Sequence, residues 1–233
     1  MRASARSWLN LTTVSLLGCS DAVLGTNPPD AELPRTAEAP ILDGQMDALY
    51  ESSRQYSLTQ VIRGFPPDTA DFAVTWRGLY DTIALYLFVE VTDDAILPST
   101  HPDAGWEDDS VEVFIDGDGS AGEVYDNRND TQLVFRRDLR IQVGFETPDV
   151  PHPAEILSAS MLTGNGYTME VALPWSSINV SMEMSRIRLF GLDIQANDID
   201  EAMDTRGNKL TWMAPNDQAW QRPELFGLVR LAR

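Results

Sequence analysis

Residues 106–118 read Trp106-Glu107-Asp108-Asp109-Ser110-Val111-Glu112-Val113-Phe114-Ile115-Asp116-Gly117-Asp118. An aromatic ring and an acid-rich approach lead into an alternating run that ends in an Asp-Gly turn, the pattern of a half-covered β-strand. Side chains alternate across a strand, so Val111, Val113 and Ile115 share one face and Ser110, Glu112, Phe114 and Asp116 the other. The aliphatic face belongs to a core. Glu112 therefore stands on the face opposite the core, just beyond Trp106, and a second aromatic, Trp220, is a candidate to face Trp106.

Working outward, similar runs recur at 71–76, 83–91, 131–136, 140–145, 154–162, 167–173, 186–195, 209–213 and 225–231, separated by Gly, Pro, Asn and Asp clusters. Many short strands with almost no long amphipathic helix predict an all-β, antiparallel β-sandwich. The nearly continuous apolar run Leu85-Tyr86-Leu87-Phe88-Val89 predicts a central strand covered on both faces. A short helical turn is expected after Pro174. Trp76, Trp175 and Trp212 sit in or beside apolar strands and are read as core; Trp106 and Trp220 lie among polar residues, where an edge ring either holds a ligand or caps the core.

The chain carries 17 basic and 36 acidic residues, a net charge of −19. That balance argues against nucleic acid as a partner, since affinity for a phosphate backbone comes mostly from Lys and Arg. Between Asp103 and Asp130 the acids Glu107, Asp108, Asp109, Glu112, Asp116, Asp118, Glu123, Asp126 and Asp130 face a single base, Arg128. Two readings follow: a solvated, self-repelling loop, or loop oxygens that hold a structural Ca²⁺. The spacing is not that of an EF-hand, because the glycine at the sixth place and the closing Glu are missing. No Ser/His/Asp signature, phosphate loop or Cys/His zinc spacing appears, and so many acids make a count of carboxylate pairs uninformative about glycosidase chemistry. The expectation is a non-enzyme.

Residues 1–19 read as an export signal: Arg2 and Arg6 precede a short apolar run too brief to span a bilayer. The run ends in Leu16-Leu17-Gly18-Cys19, which resembles the lipobox of bacterial lipoproteins and makes Cys19, the sole cysteine, the expected lipidation site. Ser20 then favours the outer membrane. Residues 20–40 hold Pro28, Pro29, Pro34 and Pro40 without periodicity and read as a flexible tether.

Six motifs stand in order along the chain: the opening Ile41-Leu42-Asp43-Gly44-Gln45-Met46-Asp47, the strand Leu85 to Val91 with its acidic turn Thr92-Asp93-Asp94, Trp106 to Asp116, Gly166 to Trp175, Phe190 to Asp198, and Trp220-Gln221-Arg222-Pro223-Glu224-Leu225-Phe226-Gly227. Taken together they resemble carbohydrate-binding module family 9. The resemblance covers residues 41–233 and implies a jelly-roll-like β-sandwich that binds poly- or oligosaccharide without catalysis, commonly beside a glycoside hydrolase. It implies that Trp106 and Trp220 sandwich a sugar while Glu112, Gln195 and Asn197 bond its hydroxyls. Two positions depart from the pattern. Val134 stands where the family has an arginine, with Arg136 two residues on as a candidate substitute on the same face, and Asp217 stands where it has an asparagine. An ionised Asp217 accepts hydrogen bonds but donates none. Two other readings remain open: a surface lipoprotein interaction module that keeps the fold without the sugar site, and a haem-binding cytochrome-type domain using His101 or His152 with Met161, Met169 or Met213.

Overall fold

The computed structural model describes residues 28–126, 128–144, 153–178, 180, 189–200 and 207–232. The expected signal and lipidation site, Cys19 included, lie outside the described residues.

Two sheets pack face to face. The first runs β1 (Ala31–Leu33), β13 (Gly227–Leu231), β11 (Leu189–Asp198), β6 (Ser110–Asp116), β7 (Asp130–Arg136) and β8 (Ile141–Val143), with β12 (Asn208–Thr211) beside β11 and β3 (Gln60–Arg63) beside β12. The second runs β2 (Tyr56–Ser57), β4 (Phe72–Tyr80), β5 (Ala84–Asp93), β10 (Gly166–Pro174) and β9 (Leu157–Thr163). Among the described residues every pairing between these strands is antiparallel except β1 with β13. The all-β sandwich expected from the strand pattern is the fold, and Trp175–Ser177 forms the short turn expected after Pro174.

The inner faces supply one core. Val111, Val113 and Ile115 of β6 meet Leu85, Leu87, Val89 and Val91 of β5 there, with Leu133, Phe135, Leu192 and Ile194. Each fully buried aliphatic of this size contributes about 1.5–3 kcal/mol, so alternation along β6 is enough to fix which way its polar face looks. Trp76, Trp175 and Trp212 are core residues, as read from the sequence. Trp76 and Trp212 meet edge to face at 4.9 Å, and Tyr56 stacks on Trp76 at 4.7 Å.

The outer face of β5 is covered too. Tyr86 and Phe88 pack with Tyr50, Leu79, Ala84 and Ala172 under the segment that follows Ile41, with Leu42 and Leu49 against them. That cover is latched by Glu170, whose Oε2 accepts the N–H groups of Asp43 at 3.0 Å and Gly44 at 2.8 Å. Gly44 has φ +82°, and a Cβ there would lie 2.9 Å from Met161 and Ser160 atoms. Asp47 caps the turn Ala48–Ser52 by accepting Leu49 N–H at 2.9 Å. The opening motif is thus a lid over the second sheet.

Composition misplaced one stretch. Residues 28–40, expected as tether, include β1, which hydrogen-bonds alongside β13 and buries Ala31 and Leu33 in the core. Its prolines flank the strand rather than interrupt it, where a missing N–H costs no ladder bond.

Candidate functional site

The polar face of β6 is buried rather than solvated. Glu112 is 1% exposed because its neighbours across the sheet are polar residues that reach over it. In register, Glu112 lies opposite Val134 on β7 and Gln195 on β11, and Gln195 lies opposite Thr211 on β12. One step along, Ser110 lies opposite Arg136 and Asn197, and Asn197 opposite Lys209. A ladder of polar groups therefore crosses four strands on one face.

Glu112 is the hub of this ladder. Its Oε2 accepts from Gln132 Nε2 at 2.7 Å, and its Oε1 accepts from Asn197 Nδ2 at 2.8 Å and lies 2.8 Å from Lys209 Nζ. Lys209 Nζ continues to Asp217 Oδ1 at 2.9 Å. A buried carboxylate is tolerated only when paired and hydrogen-bonded, and Glu112 is both. Gln195 donates to Asp193 Oδ2 at 2.9 Å, while its own Oε1 is buried without a partner among the described residues.

Two loops stand over the ladder, each pinned by buried polar groups. The first carries Trp106 on the turn Gly105–Glu107. Gln142 accepts Gly105 N–H at 2.8 Å and donates to Asp103 O at 2.8 Å. Arg136 donates to His101 O at 2.9 Å, and its Nη2 lies 3.2 Å from Asp108 Oδ2. Arg136 shares the face of Glu112, as expected, but its guanidinium is buried beneath the Trp106 loop rather than placed beside Glu112.

The second loop, after β12, carries Asp217 and Trp220. Asp193 anchors its base, accepting Met213 N–H at 2.8 Å and Thr211 Oγ1–H at 2.8 Å. Burial raises the Asp193 carboxyl to about 6, against the lowering effect of those hydrogen bonds. Farther along, Ala219 packs on Phe114 with Ala214, and Tyr125 donates its hydroxyl to Ala219 O at 3.1 Å. Trp220 is 38% exposed, and Trp106 is half-buried. Along β6, then, Glu112 lies between Ser110, nearest the Trp106 loop, and Phe114, under the Trp220 loop.

The structure brings Glu112, Asn197 and Asp217 into one bonded chain and sets Gln195 beside it. The missing link in the sequence reading is Lys209, which joins Glu112 to Asp217. Its only sequence signal is its place on the polar face of a short strand. Gln132 and Asp193 are likewise polar strand residues bonded to partners on other strands. His101 is engaged by Asp108 at 3.0 Å and Met169 lies in the core; His152 lies outside the described residues.

A second constellation lies at the strand ends. Carboxylates of Asp93, Asp109 and Asp198 come within 4.8 Å of one another, all buried. Desolvation raises all three, Asp109 to about 7 and Asp198 to about 8. The buried Tyr167 hydroxyl has no partner among the described residues, and its pKa is raised by burial first and then by these acids. Asp71, Asp94 and Asp200 form a second, more exposed triad. An all-oxygen set suits a hard cation such as Ca²⁺. Only Asp109 comes from the acid-rich stretch that suggested calcium. The acids farther along tie their own loop: Asp116 accepts from Ser120 and Ala121, and Asp130 from Asp126.

Residues 41–233 match the family described as carbohydrate family 9 binding domain-like. The chain belongs to this family. As a family 9 module it is a non-catalytic carbohydrate-binding domain. Over 193 residues it is 32% identical to endo-1,4-beta-xylanase A of Thermoanaerobacterium saccharolyticum, covering 82% of this chain and 15% of that protein. It is 30% identical to exoglucanase XynX of Acetivibrio thermocellus, covering 82% and 16%. The chain thus spans about a sixth of the length of these curated relatives. A family 9 module from Caldicellulosiruptor kristjanssonii, solved in complex with cellotriose, shares the fold with a TM-score of 0.70 at 19% identity, covering 86% of this chain and 92% of that one. The same module in complex with glucose gives the same score over 95% of its chain.

Proposed function

We propose that this module holds the end of a neutral glycan chain between Trp106 and Trp220, over the floor built by Glu112, Gln195 and Asn197. One observation carries the reading: a buried polar ladder, bonded across four strands, is joined through Arg136 and Asp108 to the loop of Trp106 and through Lys209 and Asp217 to the loop of Trp220. A pyranose offers an apolar C–H face to such rings and hydroxyls to such a floor, and desolvation of those hydroxyls is offset only where partners wait. Arg136 serves the site through the loop it supports. The cellotriose and glucose complexes of the related module support a glucan or similar neutral ligand for this one.

A Ca²⁺ ion at Asp93, Asp109 and Asp198 fits as a structural part of the module, tying the ends of β5 and β11 to the start of β6. The signal-like residues 1–19 with Cys19 support export and lipid anchoring at the cell envelope, on the outer membrane by Ser20. There the module would keep glycan near a glycoside hydrolase.

Calorimetric titration with glucose, cellobiose and xylobiose tests the reading, alongside Trp106→Ala and Trp220→Ala. Saturable heat that either substitution abolishes with the circular dichroism unchanged supports the clamp. Absence of heat with every neutral sugar at millimolar concentration, calcium present, overturns it in favour of an interaction module.

A further inference from the structure

The geometry points to Lys209 as a sugar-contacting residue of this site: its ammonium and the Asp217 carboxylate together recognise two neighbouring hydroxyls of a neutral sugar, and the pair discriminates against acidic sugars. This rests on the carbohydrate-binding reading above.

Lys209 lies on β12, two strands from β6, and its side chain reaches across Asn197 to Glu112. It is 3% exposed, while the Asp217 side chain to which it is joined is 30% exposed. The ion chain Glu112, Lys209, Asp217 therefore rises from the buried floor to the open loop that carries Trp220. An ammonium has three N–H donors and no acceptor. Glu112 Oε1 at 2.8 Å and Asp217 Oδ1 at 2.9 Å take two of them, which among the described residues leaves the third for a ligand oxygen.

An acceptor is open close by. Gln195 Oε1 is buried and unpartnered among the described residues, and Gln195 sits one register step from Asn197, the residue that Lys209 faces. A sugar hydroxyl that accepts from Lys209 has its own proton to give, and Gln195 Oε1 is placed on the same face to take it. The neighbouring hydroxyl meets Asp217. Lys209 Nζ and Asp217 Oδ1 stand 2.9 Å apart, about one hydrogen-bond length, which is also the spacing of two vicinal pyranose oxygens. Arg136, another cation on this face, gives its terminal nitrogens to His101 O, Asp108 and Asp138 under the Trp106 loop, and its Nε is buried without a hydrogen bond among the described residues. Lys209 is the cation bonded to Glu112 in the floor.

Charge adds selectivity. Glu112, Asp193 and Asp217 outnumber Lys209, so a uronate carboxylate enters a site that is already negative, with little water to screen it.

The test is a chemical double-mutant cycle by calorimetry on the whole chain. The ligands are cellobiose, its monodeoxy analogues at the non-reducing glucose, and cellobiouronic acid. The proteins are the parent chain, Lys209→Met and Lys209→Arg. Expected on the parent chain is a loss on the order of tenfold or more for one deoxy analogue, as for a hydrogen bond to a charged group, with the uronate weaker than cellobiose by at least as much. On Lys209→Met that same analogue and cellobiose should bind alike, and Lys209→Arg should restore part of the difference. If Lys209→Met does not fold, Lys209→Gln, which removes the charge and leaves Glu112 and Asp217 in place, carries the cycle, with the penalty for that analogue expected to shrink. Equal penalties for every analogue on parent and variant, or unchanged cellobiose binding by Lys209→Met, overturn this assignment while Trp220→Ala still abolishes binding. No heat from any sugar on the parent chain overturns the carbohydrate reading and this assignment together.

Discussion

The Arg136 guanidinium lies 3.2 Å from Asp108 Oδ2, and both groups are buried. This pair ties the end of β7 to the loop that presents Trp106, and Gly105 in the same turn lies so close that a Cβ there would stand 3.0 Å from the arginine side chain. Removing one partner of a buried pair leaves the other charge unpaired, at a cost of roughly 3–5 kcal/mol. Arg136→Met is therefore expected to lower unfolding stability in urea by about that much. Sugar affinity should fall as well, because the Trp106 loop loses its support. Full affinity in a folded Arg136→Met would show that the loop holds its ring without the arginine.

Gly44 gives a contrasting prediction, far from the ladder. Its left-handed backbone and its close seat on β9 make any side chain costly, and Glu170 needs its N–H. Gly44→Ala should cost about 1–3 kcal/mol from backbone strain alone, read as a lower midpoint in chemical denaturation. Binding at the other sheet should be unchanged. A neutral effect on stability would mean that the cover over β5 shifts without loss.

The buried acids set how stability varies with pH. Burial raises Asp193 to about 6, and raises Asp130, with Asp116 and Asp126 beside it, to about 7. An unfolded Asp releases its proton near 4. Between about pH 4 and 7 the folded chain therefore holds protons that the unfolded chain has lost, and stability falls as pH rises through that window. Denaturation curves at pH 5 and pH 7.5 in chelator should show the chain more stable at pH 5. Asp193→Asn should remove its share of the slope between about 4 and 6. A rise in stability toward pH 7.5 under those conditions would contradict the assignment.

The sequence made β6 legible because strict alternation and burial coincide there: Val111, Val113 and Ile115 could only face the core. It also separated Trp76, Trp175 and Trp212 from Trp106 and Trp220, since apolar strand neighbours mark a core ring. Lys209 was illegible for a physical reason. Its partners are set by the β6–β11–β12 register, and a polar residue on a four-residue strand announces no register. Arg136 shows the same limit differently. Its face followed from counting by two, yet its partner Asp108 comes from a loop that folds back over the sheet. β1 was lost because prolines outside a short strand look like prolines inside a tether.

The acid triad has the same long-range origin, with Asp93, Asp109 and Asp198 contributed by the ends of β5 and β11 and the approach to β6. Three buried carboxylates repel one another unless protons or a cation intervene. Calcium that binds the folded chain and not the unfolded one stabilises it by mass action, about 2.7 kcal/mol at a hundredfold excess over its dissociation constant. Thermal unfolding at pH 7.5 should therefore shift upward by several degrees with millimolar calcium and downward in chelator. Asp198→Asn should blunt the response. The response should also shrink below about pH 6, where protons compete for the same oxygens. An unfolding temperature indifferent to calcium at pH 7.5 would leave the triad as a shared-proton cluster, and the parent chain would then owe its strand-end order to those protons alone.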